Sequence, residues 1–463
     1  MRYSKSIVSK IFNREICNKN NINFNNINFE KIFDNYRVKQ KYVINKIDCI
    51  SYLQDQLRML NINNTNCLQI SEIINIEDYI FTLTISGYCC VFFRNNYKKN
   101  IMINDVSVSE NIRSIIYNKN NNTLIIMYLK KTDKFSKLFC RFIEIDSLKS
   151  SNIISKNLFE NDMSSFPGFI EVDTVNKFIL TFCHSKSRFR LWNMEDYSLN
   201  YTFTDSNINE IKLSPGLLTI TYQSEKSSFN EMAAIGLLRR LIRRKFKKRK
   251  NNLTKLKESY MSWENTIKIK TLNIKNKKIF STLNIPILEK IEFIEQLNQY
   301  IFIKEESKNC KILDCLTMKE NEISNSIELK IISFLFNYQS NNFIIFKLNG
   351  DISIMDCKCN LILNLDNHKL FNPSLAMISS CFVKDNKYII SPCKNNENHE
   401  DNMDLDDTTK IHISNTHNGK CINKIDFGEI NCDLKNLSSC FYDKNNFELY
   451  TGFSNGEVIV IGN

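Results

Sequence analysis

A pattern of short alternating runs recurs along this 463-residue chain, and its clearest copy is Phe178 to Phe203, FILTFCHSKSRFRLWNMEDYSLNYTF. Phe178, Leu180 and Phe182 alternate with Ile179 and Thr181. A polar turn from His184 to Ser187 follows, then a second run from Phe189 to Asn193 and a third from Tyr197 to Phe203. Period-two alternation broken by polar turns predicts an antiparallel meander. One such sheet leaves apolar faces uncovered, so it needs copies of itself as neighbours.

The rest of the chain supplies those copies. The first unit starts at Leu68 and turns at Ser86-Gly87, and the second runs from Ile112 to Asp146. The third holds the stretch above. The fourth starts at Ile208, breaks off, and resumes at Thr266; the fifth runs from Leu288 to Asp314 and the sixth from Ile331 to Asp356. The seventh starts at Met377 and resumes at Lys410, and the eighth runs from Leu437 to Asn463. Equivalent points are roughly 42 to 59 residues apart except across the fourth, a spacing that points to a propeller built from repeats.

The unit ends carry a family resemblance. Tyr450-Thr451-Gly452, Ser454-Asn455-Gly456 and Val458-Ile459-Val460 look like the end of a WD40 repeat, and Asn418-Gly419-Lys420-Cys421 resembles its turn into an outer strand. Trp192-Asn193, Leu313-Asp314 and Met355-Asp356 stand where that family has its Trp-Asp pair. The Gly-His near the start of a standard repeat is absent, so the network linking that His to the Asp is not carried over. Residues 208–315 and 437–463 are more specifically similar to little-characterised WD40-like proteins of plants and protists. The resemblance implies an all-β chain with a single β-propeller, eight blades by unit count and seven as the alternative. It names no activity. The last unit stops after its third strand, and Arg37 to Ile44 is the candidate to complete it from the N-terminal side.

The expected organisation is therefore an irregular segment over 1–62, with a short helix marked by Ile50, Leu53, Leu57 and Leu60, followed by a propeller over 63–463. Two insertions interrupt it, and insertions in such repeats map to loops, often on a binding face. Residues 224–262 hold MAAIGLLRRLIRRKFKKRKNNLTKL, in which nine of the twelve residues from Arg239 to Lys250 are basic. Ile235, Leu238, Leu241, Ile242 and Phe246 recur at helical spacing, which predicts a basic amphipathic helix. The candidate partner-binding residues are Arg239, Arg240, Arg243, Arg244, Lys245, Lys247, Lys248, Arg249 and Lys250. Four readings of them stay open: a solvated helix packed on the propeller, nuclear import or contact with nucleic-acid phosphates, a calmodulin-type partner, and an anionic membrane surface. The second insertion, 395–409, is acidic and reads as a disordered loop.

Composition narrows the chemistry. Ten Gly and five Pro are few for so many turns, and Asn, which tolerates left-handed backbone, takes their place. Sixteen Cys without paired CxxC spacing read as reduced, buried small hydrophobes, with no metal site. No apolar run approaches the ~20 residues that span a bilayer, and the first twenty residues have no apolar core of the kind a secretory signal needs. Five His form no HExxH or triad motif, and no Gly-rich phosphate loop occurs. The expected function is a non-catalytic scaffold for other proteins, nuclear or else cytoplasmic, with no cofactor and no small-molecule substrate. The alternatives are an enzyme with dispersed residues at a propeller channel, or a calmodulin- or membrane-binding adaptor.

Overall fold

The computed structural model describes residues 29–52, 67–222, 266–394 and 409–463, less short stretches between strands, chiefly 106–109, 132–135, 160–163, 184–187, 287–290, 306–310, 323–330 and 426–433. The strands form eight separate antiparallel sheets, seven of four strands and one of five, and the fold is an eight-bladed β-propeller. The chain divides into two compact units.

The larger unit holds six blades. Blade 1 is Ile70–Ile76, Tyr79–Thr84, Cys89–Phe93 and Asn96–Met102. Blade 2 is Asn111–Asn118, Thr123–Lys131, Ser136–Glu144 and Ser155–Leu158, with Ser164–Ser165 as a fifth strand beside the third. Blade 3 is Phe169–Asp173, Phe178–Cys183, Arg188–Asn193 and Leu199–Phe203. Its first strand lies upstream of the three runs that the sequence marks. Blade 6 is Ile331–Asn337, Asn342–Lys347, Ile352–Asp356 and Leu361–Asn364, and blade 7 is Cys381–Val383, Tyr388–Lys394, Thr409–Asn415 and Cys421–Ile425.

Met377 does not open a strand. It lies in a short helix, Ala376–Ser379, preceded by a 3-10 turn over Pro373–Leu375. Asn372 caps that turn by accepting from the Ser374 N–H, and Pro373 occupies its first position, where a missing N–H does no harm. Blade 8 is Leu437–Asp443, Glu448–Phe453 and Glu457–Gly462, completed by Arg37–Val43, which pairs antiparallel with Glu457–Gly462.

The smaller unit holds two blades. Blade 4 is Ile208–Ser214, Leu217–Tyr222, Thr266–Asn273 and Ile279–Pro286. Blade 5 is Ile291–Leu297, Tyr300–Glu305, Lys311–Asp314 and Glu320–Glu322. Residues 223–265 connect the second and third strands of blade 4, and residues 395–408 connect those of blade 7; both segments lie outside the described residues. Of the expected N-terminal helix, residues 46–52 are helical, and 53–66 lie outside as well.

The strands within a blade differ because their neighbours differ. Second strands are covered on both faces, so Tyr79–Thr84 and Glu448–Phe453 are buried at every position and their alternation fades. Outer strands keep one face in water, as in Leu199–Phe203 and Leu361–Asn364. Arg37–Val43 blunts its outer edge with Lys39 and Lys41, which pair with Glu448 and Glu457 and discourage strand addition from outside. Buried rings such as Phe81, Phe92, Phe343 and Phe346 each contribute about 1.5–3 kcal/mol of burial.

Turn chemistry repeats with the blades. In all six blades of the larger unit a non-glycine residue just before the second strand has positive φ: Glu77, Asn122, Lys177, Asn341, Asn386 and Phe447. Three of the six are Asn, the residue that replaces Gly here most cheaply. The cysteines among the described residues are free thiols, most of them buried. Among those residues no helix is long and apolar enough to cross a membrane.

Candidate functional site

A hollow lies within the larger unit, where blade 2 meets blade 3. It is a cleft of about 490 Å³. It borders the apolar cluster shared by the two blades, Ile125, Cys140, Leu158, Ile179 and Met194, of which Leu158 reaches the lining. Alternation along the third strand of blade 2 sends Phe142 and Glu144 to this side and Ile143 into the core between blades 1 and 2. The fourth strand brings Lys156 opposite Phe142. Blade 3 adds Trp192, from the end of its third strand, and the turn Glu195-Asp196-Tyr197.

The walls are aromatic. Phe142 and Tyr197 stack with centroids 5.2 Å apart and planes 15° apart. Phe159 and Trp192 meet at 4.6 Å. Tyr197 is held from below: its hydroxyl lies 2.8 Å from Thr123 Oγ1 and accepts from Asn118 Nδ2 at 3.1 Å. The same Asn118 amide donates to the Met194 carbonyl at 2.7 Å, tying the two blades together. Trp192 Nε1 donates to Thr181 Oγ1 at 2.9 Å.

The rim is acidic. Glu144, Asp146, Glu195 and Asp196 are exposed around the mouth, against one ammonium in the lining, Lys156. Glu195 pairs with Lys177 at 3.0 Å, on the surface. Asp196 accepts from the backbone N–H and the hydroxyl of Ser198, which hold its carboxyl below the usual range. Asp146 accepts from Asn122 Nδ2 at 3.2 Å. The Glu144 carboxylate has no partner among the described residues. No His or Cys lines the cleft. Among the described residues no group of His, Cys, Asp and Glu is placed to hold a metal ion.

Two wall residues carry unusual backbone. Tyr197 has φ +58° and Phe159 φ +58°, a left-handed region that costs bulky side chains energy. The matching turn of blade 7 shows what the position prefers. Asn193 N–H bonds the Ser198 carbonyl as Asn415 N–H bonds that of Lys420, both at 2.9 Å. Glu195 N–H reaches Asn193 Oδ1 as His417 N–H reaches Asn415 Oδ1. By this register Tyr197 stands where blade 7 has Gly419, itself at φ +75°.

The residues singled out by sequence, Arg239, Arg240, Arg243, Arg244, Lys245, Lys247, Lys248, Arg249 and Lys250, lie outside the described residues. His184 does too. Trp192-Asn193, Leu313-Asp314 and Met355-Asp356 do end the third strands of their blades. A polar cluster that motif matching missed sits in blade 7. His368 Nδ1 lies 2.7 Å from Ser414 Oγ and Nε2 2.5 Å from Ser391 Oγ, all buried. Burial, with His412 nearby, pulls the His368 imidazole down to about 3, so it is neutral. No Gly precedes it, and only the fold brings those serines to it.

The family described as "Domain of unknown function (DUF7899)" matches residues 21–248 and 259–461. The chain belongs to the DUF7899 family. No curated protein matches the chain. Among solved structures, the computationally designed Ika8 protein is similar at 10% identity and a TM-score of 0.45, over 86% of this chain and 97% of that one. BamB from Moraxella catarrhalis is similar at 11% identity and 0.42, over 92% and 98%. A eukaryotic initiation factor is similar at 9% identity and 0.45, over 82% and 81%. Likeness this distant carries nothing about function, and the propeller stands on the strand pairing itself.

Proposed function

We propose that this DUF7899 chain is a non-catalytic scaffold, WD40-like in its repeats, that binds other proteins. The observation that carries this reading is the cleft between blades 2 and 3. Its aromatic walls and exposed carboxylates supply contact area and charge in the manner of a recognition surface. Rigid blades hold such surfaces in place while turns vary. Interaction capture with intact protein tests it: the same partners are expected from repeated preparations and are lost on unfolding. Turnover of a substrate by the purified chain would overturn it.

The basic residues Arg239 to Lys250 support a second, separate contact, with an acidic receptor groove or nucleic-acid phosphates, and hence a nuclear location. Replacing Arg243, Arg244, Lys245, Lys247, Lys248 and Arg249 with Ala is expected to change location or partner binding and to leave cooperative unfolding intact, since solvated charges contribute little to stability. Residues 232–256 fused to an inert reporter are expected to carry it into the nucleus. A reporter that stays cytoplasmic removes the import reading. Phosphate contacts predict affinity that falls steeply with salt.

A further inference from the structure

We infer that the cleft between blades 2 and 3 is a receptor for an arginine-bearing basic peptide, with a guanidinium seated between the aromatic walls and the carboxylates of Glu144 and Asp146. The inference rests on the scaffold reading and names the chemistry of one partner.

Volume comes first. The cleft, about 490 Å³, falls within the about 300–1,000 Å³ typical of sites that enclose a ligand, which is room for a few side chains. Charge comes second. Four carboxylates and one ammonium line a site on a chain whose formal net charge is +12, so the local sign opposes the global one. A cationic partner is drawn to this place. The walls come third. A guanidinium is planar, stacks on aromatic faces and bridges carboxylates in a bidentate fork, whereas an ammonium is compact and strongly hydrated. Phe142 and Tyr197 offer ring surface, Trp192 beside them already has the Arg190 guanidinium 5.9 Å from its ring centroid, and Glu144 offers a carboxylate with no partner among the described residues.

The equivalent place elsewhere in the unit shows that blade geometry alone does not make such a site. Where blade 6 meets blade 7, the hollow measures about 60 Å³ and is lined by Ile344, Ile354, Ile362 and Leu363, with Asn and His417 at its mouth and no carboxylate. The wide junction also keeps a tyrosine at the position where the narrow one has Gly419. That backbone strain is retained together with the ring that forms the wall.

Trp192 makes the test direct. The chain has two tryptophans, so Trp263→Phe leaves Trp192 as the reporter within the full chain. Titration with acetylated hexa-arginine is expected to quench Trp192 saturably, as a cation settles beside the ring. Hexa-glutamate is expected to leave it unchanged. The double variant Glu144→Gln/Asp146→Asn is expected to weaken binding by about tenfold or more while keeping the parent's unfolding midpoint. Absence of saturable quenching, equal affinity in the double variant, or equal binding of hexa-lysine would each overturn the inference. Quenching that emerges only after the six basic residues Arg243 to Arg249 are replaced with Ala would also overturn it, since the occupant would then be the chain's own segment. Partners captured equally by the parent and the double variant would sink the cleft and leave the scaffold standing. Peptide binding by a chain shown to turn over a substrate would do the reverse.

Discussion

Two junctions of one unit differ in what their blades leave open. Blades 6 and 7 close against each other. The blade 7 turn brings its Gly419 carbonyl onto the Asp366 N–H at 2.8 Å, and a Cβ at Gly419 would stand 2.8 Å from the Asn364 carbonyl oxygen. Blades 2 and 3 stay apart at the same place. Blade 2 leaves its third strand through a 3-10 turn, Ile145–Lys149, before its fourth strand returns, and Tyr197 replaces the glycine that permits close approach. One backbone register thus serves as a seal or as a site, depending on whether a turn carries a hydrogen atom or a phenol ring.

The largest expected effect comes from the other face of the strand that builds the open junction. Arg141 is buried and gives two hydrogen bonds to Glu110, at 2.7 and 2.8 Å, with further bonds to the Ile103 carbonyl and Ser155 Oγ. Arg141→Met strands the Glu110 charge and is expected to destabilise by about 3–5 kcal/mol in a denaturant melt. Glu144→Gln, three residues along and facing the cleft, is expected to stay within about 0.5 kcal/mol of the parent in the same melt.

At the closed junction, Gly419→Ala meets both the left-handed backbone and the Asn364 carbonyl. A loss of about 2 kcal/mol is expected, and an unchanged unfolding midpoint would mean that the seal is loose.

Near that junction the neutral His368 makes stability depend on pH. Its folded value, about 3, lies below the ordinary 6.5, so the unfolded chain binds the extra proton. The contribution is fully present above pH 6.5 and is lost as pH falls toward 3, about 2 kcal/mol of it by pH 5. Melts of the parent and His368→Gln at both pH values isolate it, and a pH dependence unchanged in the variant would contradict the assignment.

Tyr197→Phe is the smallest of the losses expected. It keeps the stack on Phe142 and removes the hydroxyl contacts with Thr123 and Asn118, for a loss of about 1 kcal/mol. Peptide quenching of Trp192 is expected to survive it, whereas Tyr197→Gly is expected to abolish it.

Local alternation in the sequence determined the repeat itself. Trp192-Asn193, Leu313-Asp314 and Met355-Asp356, picked out by their resemblance to the WD40 Trp-Asp pair, end third strands, and the strand runs themselves are written into adjacent residues. The abundance of Asn likewise announced turns that hold left-handed backbone without glycine, as Asn122, Asn341 and Asn386 do. The blade 3 stretch also contained one side of the cleft, Trp192 and Glu195 to Tyr197, yet nothing local marked it as a site. Phe142 and Glu144 come from another blade, and the register that puts Tyr197 at a glycine's position is visible only when two turns are superimposed. His368 finds Ser391 and Ser414 in the same way, across strands distant in sequence. Alternation decides which face of its own strand a side chain takes. Packing between blades decides whether that face becomes core, seal or open cleft, because only there do residues far apart along the chain share one volume.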